Sequence, residues 1–287
     1  MNRLKCVIIA ISVAVILQPG PIYAQGKLSI RLQGGGAYIS GGDINPGNRT
    51  WFPPPIEGWV QYGSYQALRS GCEVGADIIF ELNPRFGVGI GAGYIGFSGY
   101  SSMSLEPELP SINSTFYTAW PRLSAFPIRT GLYLTLPWKS RLNLIANLGL
   151  SYYFSPRYSD EFYYESFPSS NSDLITTRAR YKKTPIGFQG EFGVEYKVSR
   201  NLFPYLEARA RYARFRGWQG TSVLELGSES PLTEEGKLYY EVVPILTRAP
   251  RLLMVQSSPP DGPDGEPRQA EIDFSGFSLQ LGIRIRL

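Results

Sequence analysis

The side chains able to do chemistry in this chain are carboxylates and guanidiniums at even spacings. Asp77 with Glu81, and Glu191 with Glu195, are each four residues apart. In an extended strand that spacing puts both acids of a pair on one face, two pleats apart, and paired carboxylates can share acid and base roles. Glu207, Arg31, Arg129, Arg209, Arg211, Arg284 and Arg286 lie on the polar faces of similar alternating segments. The chain has no histidine, so a serine nucleophile lacks a base that titrates near neutrality. The same acids also serve as counter-charges: Asp77, Glu81, Glu191, Glu195 and Glu207 offset six arginines wherever both share a poorly solvated interior. Structural pairing is the expected role, with no catalytic, cofactor-binding or metal-binding residue assigned.

Eight segments with period-two alternation must position these charges. They are "KLSIRLQGGGAYIS", "CEVGADIIFEL", "FGVGIGAGY", "AFPIRTGLYLTL", "LNLIANLGLSYYF", "PIGFQGEFGVEYKV", "PYLEARARYARF" and "FSLQLGIRIRL". In the last, Phe277, Leu279, Leu281, Ile283, Ile285 and Leu287 face one way and Ser278, Gln280, Gly282, Arg284 and Arg286 the other, the mark of a strand with two opposite surfaces. The links "NPR", "PWKSR" and "SRN" are short turns. The other links, about residues 41–71, 97–118, 155–183 and 216–273, are long. Short and long links alternate, which places every turn at one end and every long loop at the other. Within the last loop, "GKLYYEVVPIL" has the pattern of an extracellular hairpin, and "DGPDGE" reads as a turn. "GVGIGAG" lacks the strand-to-helix setting of a phosphate-binding loop.

With 287 residues, including 19 Tyr, 15 Phe and 31 Gly, the chain has a β-rich composition. Residues 1–24 carry Arg3 and Lys5, an apolar run from Val7 to Leu17 and small residues ending at Ala24. That order is expected of a secretory signal peptide, leaving residues 25–287 as one domain. The remainder has 26 basic and 24 acidic residues, a net charge of +2, which argues against nucleic acid as a partner. Cys6 leaves with the signal peptide, so Cys72 has no partner for a disulfide or a cysteine metal cluster.

A water-soluble barrel would turn the aliphatic rows inward and the charges outward. Three features favour the reverse. The segments are long enough to cross a bilayer at a tilt. The polar face of "FGVGIGAGY" is a glycine row, Gly87 to Gly93, which makes room for large side chains in a narrow lumen. Trp138 sits in a short turn, and Tyr38, Tyr94, Trp120, Tyr152, Phe154 and Trp218 lie near the loop ends, as interfacial girdles require. The expected fold is therefore all-β, an eight-stranded antiparallel up-and-down transmembrane β-barrel. Pro127, inside the fourth segment, predicts a bulge or a shifted strand start there.

From "GGGAYISGGD", "FGVGIGAGY", "PIGFQGEFGVEYKV", "LEARARYARF" and "FSLQLGIRIRL", spread over residues 26–287, the chain resembles the small eight-stranded outer-membrane barrel proteins of Gram-negative bacteria, the group of OmpX, OmpW and OmpA-type barrels. Leu287 stands where such families usually end in an aromatic residue. The resemblance implies export to the bacterial outer membrane. It also implies partnership with outer-membrane lipid and lipopolysaccharide, and with the barrel assembly machinery during biogenesis. Outer-membrane acyl hydrolases, palmitoyl transferases and proteases use an active-site histidine, so a chain without one is expected not to be such an enzyme. The third loop sets Tyr158, Phe162, Tyr163 and Tyr164 beside Arg178, Arg180 and Lys182. This combination suits contact with glycan or lipopolysaccharide phosphate; the reading favoured over it is that the aromatics pack the loop together while the basic residues face the anionic outer leaflet non-specifically. The expected function is a non-enzymatic structural, surface-binding or adhesive barrel with a charge-plugged lumen. The alternative is a narrow channel or transporter for ions or small apolar solutes.

Overall fold

The structure, a computed structural model, describes residues 27–108, 114–167, 171–227, 230–242, 251–262 and 265–287. The expected signal peptide and part of the "DGPDGE" turn lie outside the described residues. In chain order the elements are β1 (Lys27–Ile39), the short helix α1 (Ile44–Arg49), β2 (Trp59–Ser64), β3 (Ser70–Glu81), β4 (Phe86–Ser98), β5 (Ser101–Pro107), β6 (Ser114–Ala119), β7 (Arg122–Lys139) and β8 (Leu142–Phe167). They continue as β9 (Asn171–Tyr181), β10 (Ile186–Tyr196), β11 (Leu202–Tyr212), β12 (Arg214–Arg216), β13 (Trp218–Leu226), β14 (Leu232–Val242), β15 (Arg251–Gln256), β16 (Glu271–Asp273) and β17 (Gly276–Arg286).

Eight of these strands close a ring. Antiparallel pairings run β1–β3–β4–β7–β8–β10–β11–β17 and return to β1. Each ring strand covers most of one of the eight alternating segments. The chain end is part of the seam: Ser29 pairs with Arg286, and the Leu287 amide donates to the Leu28 carbonyl at 2.8 Å. No edge of the ring is left unpaired, which a sheet surrounded by hydrocarbon requires.

The side chains sort by parity. Outward positions carry Leu148, Leu281, Leu132 and Phe188, the first of them 72% exposed, whereas the lumen holds Arg129 and Arg209, each 1% exposed. Aromatic side chains end the outward aliphatic rows, with Tyr38 stacked on Phe277 at 5.2 Å and Tyr94 against Phe126 at 5.3 Å. Trp138, expected in the short turn, is instead an exposed residue of β7, next to last before the turn into β8.

Beyond that belt the two faces exchange chemistry. Ile39, Ile95, Phe97, Leu123, Tyr158 and Leu238 turn inward into one buried apolar cluster, while Ser98, Arg122, Arg157 and Arg178 face outward. A bulge on β8 manages the change: Phe126 pairs with Phe154, but Ser124 pairs with Arg157, and Ser155 takes φ 47°. The extra residue keeps Arg157 on the outer face and sends Tyr158 inside. Pro127 itself stays in the ladder opposite Tyr153. The irregularity expected at Pro127 thus lies on the partner strand.

The long links differ from the loops expected. β8 runs for 26 residues, past the belt. β9, β13, β14 and β15 continue its sheet, β2, β5 and β6 form a smaller outer arm, and β12 pairs with β16. The segment around Tyr239 and Tyr240 belongs to β14, which pairs with both β13 and β15. These strands escape a search for outward aliphatic rows because their apolar residues point inward and are mixed with hydroxyls and charges. Trp218, expected in the girdle, is instead fully buried, its Nε1 donating to the Phe215 carbonyl at 3.0 Å.

The glycine row has a spatial role. A Cβ on Gly91 would meet the Asp77 carboxylate and stand 2.7 Å from the Ala76 carbonyl oxygen. Gly91→Val is therefore expected to lower unfolding stability by about 1–3 kcal/mol through overpacking, read from the urea midpoint of the refolded protein. Ala92→Val, one residue on but facing outward, should leave the midpoint unchanged.

Candidate functional site

Every charged residue expected in the lumen is there, and one more joins them. Glu73 lies on the same face of β3 as Asp77 and Glu81 and is 2% exposed. It accepts from Arg129 at 3.2 Å, from Arg211 at 2.9 Å and from Arg209. Ser278 donates to it at 3.0 Å. The parity of Glu73 was visible in the sequence; its role as the meeting point of three arginines from two different strands was not.

The ion pairs fall into two clusters. In the larger, Arg129 also reaches Asp77 at 3.1 Å, Arg209 reaches Glu191 at 2.7 Å and Glu207 at 3.4 Å, and Arg31 bonds Glu207 and approaches Glu191 at 3.4 Å. Four arginines (31, 129, 209, 211) thus meet four acids (73, 77, 191, 207). In the smaller cluster, nearer the short turns, Arg284 clamps Glu195 through two bonds of 2.7 Å and reaches Glu81 at 2.9 Å, while Arg286 meets Glu81 at 3.0 Å. Two arginines meet two acids, so each cluster is neutral by itself. The two expected carboxylate pairs act as counter-charges: each of their four acids accepts from at least one arginine.

Aromatic rings and neutral polar groups complete the packing. The Arg31 guanidinium lies 4.3 Å from the Tyr205 ring centroid, and Arg284 and Arg286 lie 4.8 and 5.1 Å from that of Phe203. Gln33 donates to Asp77 at 3.1 Å and accepts from Tyr205 at 2.8 Å. At the turn end, a cavity of about 30 Å³ lies among Arg31, Glu81, Tyr133, Glu195 and Arg284. That is the scale of a single water. At the opposite end the lumen passes into the apolar cluster, where Tyr153, Phe215 and Phe274 meet with ring centroids 5.4–5.9 Å apart. α1 is held beside this cluster by Asp43, which accepts from Arg268 at 2.9 Å, and by Gly47 packed against Leu253.

An aliphatic exterior, an aromatic belt and a buried, neutral ionic lumen within a closed ring are stable together only in a bilayer. The chain is a membrane-spanning β-barrel. No protein-family model matches it, and no curated protein matches its sequence. Among solved structures it is similar to a major outer membrane protein from Thermus thermophilus, at 12% identity and TM-score 0.41, over 91% of this chain and 99% of that one. It is also similar to the outer membrane protein OprG from Pseudomonas aeruginosa, at 11% identity and TM-score 0.34, over 91% and 96%. A third is the outer membrane protease OmpT from Escherichia coli, at 10% identity and TM-score 0.42, over 94% and 99%.

The residues expected on the third loop divide. Tyr158 and Phe162 point inward and are 2% and 5% exposed, so neither is free for surface contact. Tyr163 and Tyr164 are half-buried, Tyr163 donating to Glu165 at 3.0 Å. Arg178, Arg180 and Lys182 are exposed on the outer face.

The Tyr158 hydroxyl stands 3.2 Å from Asp160 Oδ2, inside the apolar zone above the belt. Burial pushes the Asp160 carboxyl up from 3.8 to about 7, with Tyr65 and Glu161 near it and no cation paired with it among the described residues. The folded state thus holds the proton more tightly than the unfolded chain, and the cost of ionising Asp160 grows from about pH 4 to its full size above about pH 7.

Two outcomes follow. Asp160→Asn is expected to be more stable than the wild type above pH 7, with the difference vanishing near pH 4 at a slope approaching ~1.4 kcal/mol per pH unit, read from urea midpoints. Glu73→Gln leaves Arg211, whose other partners are the backbone carbonyls of Phe274 and Tyr38, without an ionic partner. It should cost roughly 3–5 kcal/mol, and Glu73→Gln with Arg211→Gln should recover much of that loss. A double variant as unstable as the sum of its singles would mean the two side chains do not act as a pair.

Proposed function

We propose that this protein is a non-enzymatic, non-conducting barrel of the bacterial outer membrane. It reaches that membrane by signal-peptide-directed export, with the barrel assembly machinery and outer-membrane lipid as its partners. In this reading the strand-built extension beyond the belt is the part exposed outside the cell, and a structural or surface-binding role belongs to its outer face. The observation that carries the proposal is the neutral lumen. Six arginines and six acids are paired inside the ring, and the buried cluster of Tyr153, Phe215, Trp218 and Phe274 lies above them. An ion entering this path would have to separate buried ion pairs and then cross an apolar zone, both costly steps. A chain without histidine also lacks the general base on which a serine nucleophile depends.

Planar-bilayer recording of the refolded protein tests this reading. The wild type is expected to give no resolved steps. Arg284→Ala leaves Glu195 with Asn143, and Glu207→Ala leaves Arg31 with the 3.4 Å contact to Glu191. Each should lower unfolding stability by roughly 3–5 kcal/mol and raise ionic leakage. Steady unitary conductance in the wild type, unaltered by either substitution, would favour a channel instead.

A further inference from the structure

The outer face of the extension carries a charge arrangement that the lumen does not explain. Arg122, Arg157, Arg178, Arg180, Lys182 and Lys237 are all exposed and line one open concavity of about 1290 Å³. Arg157 stands directly opposite Arg180, Arg180 opposite Gln219, and Gln219 opposite Lys237. The next row outward runs Arg122, Ser159, Arg178, Thr221, Glu235. Glu235 is the acid in the lining, and Glu161 lies one step further from the belt. None of the six cations forms an ion pair with a described residue.

Like charges directly opposite one another across strands are unfavourable, and Arg157 with Arg180 is such a pair without a counter-charge among the described residues. An anion between them would remove the repulsion, and guanidinium groups bind phosphate oxygens in pairs. The height of the patch identifies the source of that anion. Phe154 is the last belt aromatic on β8, and Arg157 is the next outward side chain after the bulge. One such step along a strand is about 7 Å, which sets the arginines just above the hydrocarbon edge, where lipid phosphates lie. Tyr94 and Cys72 line the lower rim of the same concavity, so it is continuous with the lipid-facing surface.

We propose that this patch holds the phosphate-bearing headgroup of a lipid in the surrounding leaflet, with Arg157, Arg178 and Arg180 as the phosphate-binding side chains. Acyl chains of the same lipid lie along the aliphatic face below. The choice of leaflet rests on the outer-membrane reading above; the site does not depend on whether the lumen conducts. The patch is built on paired strands, so its arginines keep their spacing without a ligand.

The test measures binding of bisphosphorylated lipid A to the full-length refolded protein in neutral detergent micelles, with dephosphorylated lipid A and inorganic phosphate as comparisons. The triple variant Arg157→Gln, Arg178→Gln, Arg180→Gln should weaken lipid A binding by at least about tenfold. A charge-matched control at the short turns, Arg85→Gln, Lys197→Gln, Arg200→Gln, should change it by less than about twofold. Should the triple variant not refold, the wild type still decides. Its binding should fall steeply between about 0.1 and 1 M salt, as the screening length shrinks from ~10 to ~3 Å. Equal losses in both variants, no loss in the triple variant, or wild-type binding indifferent to salt would overturn the site. Dephosphorylated lipid bound as tightly would reduce it to an apolar contact, and displacement by inorganic phosphate at equal concentration would make it a free-anion site. Either result would overturn the proposal, and bilayer conductance would be unaffected by any of them.

Discussion

A chain crossing hydrocarbon finds no water for its peptide groups, so its sheet must close. Here closure comes at eight strands, joined by the β1–β17 seam and the β8–β10 pairing. A ring of that size leaves a bore only wide enough for side chains, and the strand period of two sends half of every strand into it. What occupies the bore must then be self-sufficient in charge and hydrogen bonds. The two ionic clusters meet that demand by being separately neutral, and the glycine row of β4 gives Asp77 and Arg129 the room to pair.

The same constraint ends where the bilayer ends. Past Phe126 and Phe154 water satisfies an outer polar face, and the inner face needs a core. The strands continue, but their faces trade roles, with Leu123 and Tyr158 inside and Arg122 and Arg157 outside. The bulge at Ser155 lets β8 make that passage without leaving the sheet. Asp160 is the exception within the new core, a buried acid paired with a hydroxyl instead of a cation.

The barrel was legible because membrane strands carry one long signal, aliphatic at every second residue, and because short and long links alternate. The lumen residues were legible by parity for the same reason. Asp77, Glu191 and Glu207 could be placed inside from alternation alone, but their partners could not, since Arg209 meets Glu73 across 136 residues of sequence. Five acids against six arginines left one charge over, and Glu73, at the same parity in "CEVGADIIFEL", is the residue that balances it. The extension was not legible. Its apolar residues face inward, interspersed with Ser, Thr and Arg, and the change of parity at Ser155 breaks the period within a single strand. Trp218 read as an interfacial aromatic because its distance along the chain from the membrane strands says nothing about which face it occupies.

The reversal of the two faces is the claim on which lipid contact, lumen and outer patch all depend, and β7 offers a direct measurement of it. In a Cys72→Ser background, nitroxide labels would be placed singly at outward positions 122, 124, 126, 128, 130 and 132 of the protein in bilayers. Accessibility to oxygen would then be compared with accessibility to a water-soluble nickel chelate. Labels at 126 to 132 should favour oxygen and those at 122 and 124 the chelate, with the change between Phe126 and Ser124. Chelate access at Leu132, or oxygen preference persisting to Arg122, would contradict the account.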